Sequence, residues 1–148
     1  MIARRWPERS EFFAPLPLAA LALLVINDVW LKALFHNAAT GKLSDVAVCF
    51  LMPLFLSELL GLAFAWPASR RLRVAGAATA LIFTALEIVP PVTRLALDVL
   101  SVVGPALGIH GRFRMTADWT DLFCLLSIPL AVRYGERRVA VRRRDIVV

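Results

Sequence analysis

Between Ala14 and Ile26 the chain carries no charged side chain, and between Val46 and Ser57 it carries none again. Long apolar stretches of this kind recur four times, over about residues 14–31, 44–65, 74–90 and 118–134. A helix rises ~1.5 Å per residue, so about 20 such residues cross a hydrocarbon core of ~30 Å. A chain built from these runs is expected to be an all-α, integral membrane four-helix bundle. The first run lacks a small-x-small cleavage site and continues into Asn27-Asp28-Val29-Trp30, so it reads as an uncleaved helix and not as a signal peptide.

Hydrophobic residues make up 59% of the sequence and the mean hydropathy is +0.72, against about 45–50% apolar in ordinary soluble domains. One domain of 148 residues is the natural count. The net charge of +6 does not point to nucleic acid, because the basic residues cluster at the ends of the apolar runs. Arg4, Arg5 and Arg9 precede the first run. Arg70, Arg71 and Arg73 lie between the second and third. Arg133, Arg137, Arg138, Arg142, Arg143 and Arg144 close the chain. Placing these twelve in the cytoplasm leaves five (Lys32, Lys42, Arg94, Arg112 and Arg114) outside, the positive-inside orientation. The tryptophans agree, with Trp6 and Trp66 at the inner boundary and Trp30 and Trp119 at the outer one. The expected topology is N-in and C-in in a bacterial inner membrane, with residues 135–148 as a basic cytoplasmic tail.

Residues 32–43 read as a loop. Ser44 reads as the N-cap of the second helix, with Asp45 in its first turn. Pro53 and the Ser57-Glu58 pair lie within that helix. Pro90-Pro91 should stop the third helix. Residues 93–103 read as an amphipathic helix that either lies in the interface plane or extends the third span. Residues 104–116 read as a loop.

This orientation gathers the scattered polar residues at the outer boundary. Asn27, Asp28 and Lys32 end the first helix there. Lys42, Ser44 and Asp45 begin the second. Glu87 lies near the top of the third, Arg94 follows it, and Asp118 and Asp121 open the fourth. Lys32 and Lys42 are the only lysines among seventeen basic residues, and a compact titratable ammonium is not equivalent to a guanidinium. Asp28 and Lys32 are spaced to pair on one helix face. Lys42 and Asp45 are close enough to pair across a cap, and Asp118 and Asp121 sit three residues apart. Each has a bland alternative, such as Asp118 as an N-cap. Together they mark a candidate ligand site, because ionisable groups at membrane depth are costly and usually paired or functional. Glu58 lies toward the other end, either packed and protonated or part of a proton relay.

The strings Asn27-Asp28-x-x-Leu31-Lys32, Thr40-Gly41-Lys42-Leu43-Ser44-Asp45 and Asp118-x-x-Asp121-Leu122 resemble those of small, uncharacterised bacterial inner-membrane proteins. More distantly, the order of features is similar to VanZ-type proteins, with Asp28, Lys32, Glu87, Arg94, Asp118 and Asp121 in the matching positions. Where that pattern has a glutamine soon after the third-helix glutamate, this chain has Pro90-Pro91. The resemblance implies a cell-envelope membrane protein.

Three functions remain open. The outer layer could bind membrane lipid or a lipid-linked envelope ligand through its lysines and Arg94, with carboxylates available for acid–base work or for Mg²⁺ beside a phosphate. The chain could be a proton-coupled carrier using Glu58 and Glu87. It could also be a structural or accessory subunit, as a homo-oligomer or with a membrane-protein partner. No nucleophile elbow, phosphate-binding glycine loop, CxxC or His-Glu-x-x-His is present, so no cofactor and no metal ligand set is assigned. Cys49 and Cys124 read as small buried hydrophobes. His36 and His110 read as solvated loop residues.

Overall fold

The computed structural model describes residues 11–35, 38–106, 108 and 119–145. All elements among them are helical. Helix α1 runs Pro15–Phe35, helix α2 Ala38–Ala63, helix α3 Ala68–Ile88, helix α4 Pro90–Ala106 and helix α5 Ser127–Asp145. Two stretches depart from α geometry. Asn27–Leu31 forms a π-helical turn inside α1, and Trp119–Leu126 winds as a 3₁₀ helix into α5.

The turn at Pro67 and the side-chain contacts fix the chain directions. Asn27 meets Thr40 and Ser44 at one end of the α1–α2 pair, and the Glu11 amide meets Glu58 at the other. These two helices are therefore antiparallel. Helix α5 runs parallel to α2. Thr120 and Asp121 lie beside Lys42, Cys124 and Ile128 beside Cys49, and Ala131 beside Leu54. Helix α3 runs against both, with Leu72 in the lower apolar cluster and Ala80 and Phe83 in the upper one.

The core lies where α2, α3 and α5 meet. Two glycines permit that approach. A Cβ on Gly135 would sit 2.8 Å from Leu72 and 3.3 Å from Leu54, and one on Gly76 would sit 2.8 Å from Val132. Small residues that let helix backbones close up are the usual packing device in membranes. Among the described helices α1 leans on α2 alone, and it turns Leu16, Leu18, Leu21 and Leu23 outward. Such an apolar face suits lipid or a partner.

Helices α1 and α2 are each long and apolar enough to cross a bilayer. Helices α3 and α4 meet that test together, but as a pair bent by 101°. The protein is thus all-helical, with two or three candidate spans. The stretch expected as the fourth span divides into the 3₁₀ segment and α5, and from Arg133 onward α5 is rich in arginine.

The bend has a local cause. Helix α3 ends at Ile88, Val89 is extended (φ −115°, ψ 93°), and Pro90 opens α4. Proline suits a first helical position, where its missing N–H is not needed. The Thr93 hydroxyl then donates to the Leu86 carbonyl at 2.6 Å, satisfying one of the open acceptors at the end of α3. Residues 93–103 are helical, as their pattern predicts, but α4 does not prolong the α3 axis.

Two expectations are corrected. Residues 32–35 and 38–43 are helical and not loop, so Ser44 and Asp45 lie nearly two turns inside α2 and neither caps it. Helix α4 extends to Ala106, into the stretch expected as loop. The basic end of the chain is helical through Asp145.

Candidate functional site

Both non-α stretches contribute side chains to one polar layer. π-Turns within α-helices occur often at functional sites, and long 3₁₀ runs are uncommon. The layer divides between two faces of α2.

On the face toward α1, Thr40 and Ser44 are one turn apart and both buried. The π turn brings Asn27 against them, fully buried at 0% exposure. Asn27 Nδ2 donates to the Thr40 carbonyl at 2.6 Å and to Ser44 Oγ at 2.7 Å. Ser44 Oγ donates onward to Asp28 Oδ1 at 2.6 Å. Asp28 pairs with Lys32 at 2.7 Å, the expected i,i+4 pair, with 49% and 42% of those side chains exposed. Asn27 Oδ1 is buried without a hydrogen-bond partner among the described residues. This half joins a buried amide network to an exposed ion pair.

On the face toward α3 and α5, Lys42, Asp45 and Cys49 follow at helical spacing. Lys42 Nζ donates to Thr120 Oγ1 and to Asp121 Oδ1, both at 2.5 Å. The expected Lys42–Asp45 cap pair is replaced by this link across 79 positions of sequence, because α2 starts earlier and turns Lys42 toward the 3₁₀ segment. The Cys124 thiol donates to the Lys42 carbonyl at 3.8 Å, and Ser127 Oγ donates to the Cys124 carbonyl at 2.7 Å. Lys42 keeps 39% of its side chain exposed and Asp121 15%.

Asp45 stands between these groups. It lies within electrostatic reach of Asp121, Glu87, Lys32 and Lys42, and makes no hydrogen bond or ion pair among the described residues. Glu87 occupies the last turn of α3, where the helix dipole opposes a negative charge. Its field also reaches Cys49 and Cys124. Asp45, Glu87, Asp121 and Lys42 thus share one corner at the top of the α2–α3–α5 core. Chemically, this corner offers an ammonium donor and several carboxylates beside an exposed edge.

Eight of the ten candidate residues fall in these two halves. Arg94 does not join them. It is exposed on α4 and forms no ion pair among the described residues. Asp118 lies outside the described residues, as do His36, His110, Arg112 and Arg114. No three His, Cys, Asp or Glu side chains converge as a metal site would require among the described residues. Glu58 is at the opposite end, where its Oε1 accepts the Glu11 backbone N–H at 3.0 Å. Thr40 and Thr120 belong to the layer but were not candidates. Thr40 had a readable signal, lying one turn before Ser44, whereas Thr120 is legible only once Lys42 is known to reach it.

No family model matches this sequence, and neither the curated proteins nor the solved structures give a match that could carry an inference.

Proposed function

We propose that this chain is a multi-pass protein of the bacterial inner membrane that binds the polar headgroup of a lipid, or of a lipid-linked cell-envelope ligand, at its extracytoplasmic end. The proposed arrangement has four spans, both termini in the cytoplasm and α4 along the outer interface. The observation that carries the reading is the Lys42 corner. A half-exposed ammonium and three carboxylates are assembled from α2, α3 and the 3₁₀ segment at one end of apolar helices. Charged groups at such depth are costly unless paired or used. In this reading the Lys42 ammonium attracts a phosphate or carboxylate, and Asp45 receives an amine. The VanZ-type resemblance of Asp28, Lys32, Glu87 and Asp121 supports a role in the envelope.

The buried Asn27–Ser44 half has a different role in this proposal, which is to hold α1 on α2. Its full burial and short internal hydrogen bonds favour that division. The test is native mass spectrometry of the protein taken from its own membrane in a lipid disc. Wild type should carry a bound lipid or envelope precursor, and Lys42→Gln and Asp45→Asn should lose it at nearly unchanged thermal stability. Retention of the ligand by both variants would contradict the assignment.

A further inference from the structure

Helix α4 packs against α3 and against no other described helix. The 101° bend at Val89 turns it nearly perpendicular to α3. The bond from the Thr93 hydroxyl to the Leu86 carbonyl holds its first turn in that direction. Its 17 residues give it a length of about 25 Å. Where α3 crosses a bilayer, a helix at right angles to it lies along the membrane surface.

The helix has two different sides. Leu95, Val99, Val102 and Val103 share one face by helical spacing, and all four are exposed, Val102 at 75%. A contiguous apolar stripe of this kind marks a surface meant for lipid or a partner. Arg94, Asp98 and Ser101 share another face and are exposed too. That polar side is neutral overall, because Arg94 and Asp98 are the only charged residues of α4. The Ser101 hydroxyl turns back to donate to the Asp98 carbonyl at 2.7 Å. A helix at a membrane surface is held by its buried apolar area and by attraction of basic residues to anionic headgroups. With no net charge, α4 has only the first of these. Apolar side chains enter between headgroups most easily where the acyl chains are loosely packed.

We infer that α4 seats the face bearing Leu95, Val99 and Val102 at the boundary between headgroups and acyl chains, in the leaflet into which α3 emerges, and that lipid packing rather than headgroup charge sets the strength of this hold. The inference rests on α3 being a span in the proposed arrangement and needs nothing of the Lys42 corner.

The test uses the full chain in phosphatidylcholine vesicles, with a fluorescent thiol label on Leu81→Cys, Asp98→Cys or Val102→Cys. The unsubstituted chain reports any labelling of the buried Cys49 and Cys124. The label at Leu81, exposed on α3, should be quenched by lipids that carry a spin label deep in the acyl chain. No quenching there removes the span and the inference with it. With the span in place, the Val102 label should be quenched by lipids spin-labelled near the headgroup, and the Asp98 label by aqueous iodide. Tightening the packing with a sterol should lower the Val102 quenching about twofold. Replacing part of the phosphatidylcholine by phosphatidylglycerol, or adding salt, should leave it unchanged. Stronger quenching with phosphatidylglycerol, or no loss on tightening, overturns the inference while the span stands. Deep quenching of both α4 labels overturns it by making α4 a re-entrant segment. Shielding of the Val102 label from lipid and iodide alike overturns it by placing a second copy or another protein on that face.

Discussion

Ser44 carries more of the fold than its small side chain suggests. It accepts from Asn27 and donates to Asp28, so it links α1 to α2 through one buried oxygen. Ser44→Ala leaves a buried amide donor and a carboxylate each short of a partner. A loss of about 1–3 kcal/mol is expected for such a deletion, seen as a lower unfolding temperature in detergent. Lys42→Gln should act differently. Its ion pair is partly exposed, and pairs of that kind contribute only about 0–1 kcal/mol, so stability should hardly move. A larger loss in Lys42→Gln than in Ser44→Ala would reverse the roles given to the two halves. Local spacing was enough to find Asp28–Lys32, because both lie on one continuous helix face. It could not find the partner of Lys42, since Asp121 is 79 residues away and Asp45 offered a nearer carboxylate. Glu58 was legible as an acid in the far half of α2, but its partner is a backbone amide, which sequence does not mark.

Helix ends were the least legible elements, for a common reason. Gly41 and the polar residues around it read as loop, yet no proline interrupts them and Gly41 has open space around its Cα. A helix tolerates one glycine at a cost of about 1 kcal/mol, and here tertiary hydrogen bonds to Thr40, Lys42 and Ser44 hold the polar turn in place. Gly135 reads as the first residue of the basic tail, whereas it lies inside α5 where a Cβ would sit 2.8 Å from Leu72. Gly135→Val should overpack Leu72 and Leu54 and cost about 1–3 kcal/mol, while Gly41→Ala should be tolerated or slightly stabilising. Equal effects of the two in a thermal-unfolding comparison would refute this assignment of the glycines. Pro90-Pro91, by contrast, was legible because proline acts through its own covalent geometry. Replacing both with alanine should relax the 101° bend, and spin labels at Leu81 and Val102 should move apart. An unchanged label distance would place the cause of the bend in tertiary contacts instead.

At the scale of the whole molecule, one end of the helices holds two lysines paired with carboxylates, and the other holds arginines, of which Arg73 pairs with Glu136. The apolar runs made the helical membrane character readable, because a stretch of that length has few other ways to be buried. The assembly of the Lys42 corner from three elements was readable only as a convergence at one depth, not as contacts. If the proposed topology holds, a reporter inserted at the exposed Gly108 should be extracytoplasmic and one fused to the C-terminus cytoplasmic; the opposite result would move the polar layer to the inner face. The most direct measurement exchanges the charges of the corner, combining Lys42→Asp with Asp121→Lys. Ligand retention by native mass spectrometry and unfolding temperature are then compared with wild type and with each single variant. The double variant should regain the stability lost in either single one, because the ion pair is re-formed, yet fail to retain the ligand, because the ammonium has left α2. Recovery of ligand retention together with stability would mean that the pair only holds α2 to the 3₁₀ segment, and that the ligand is bound elsewhere.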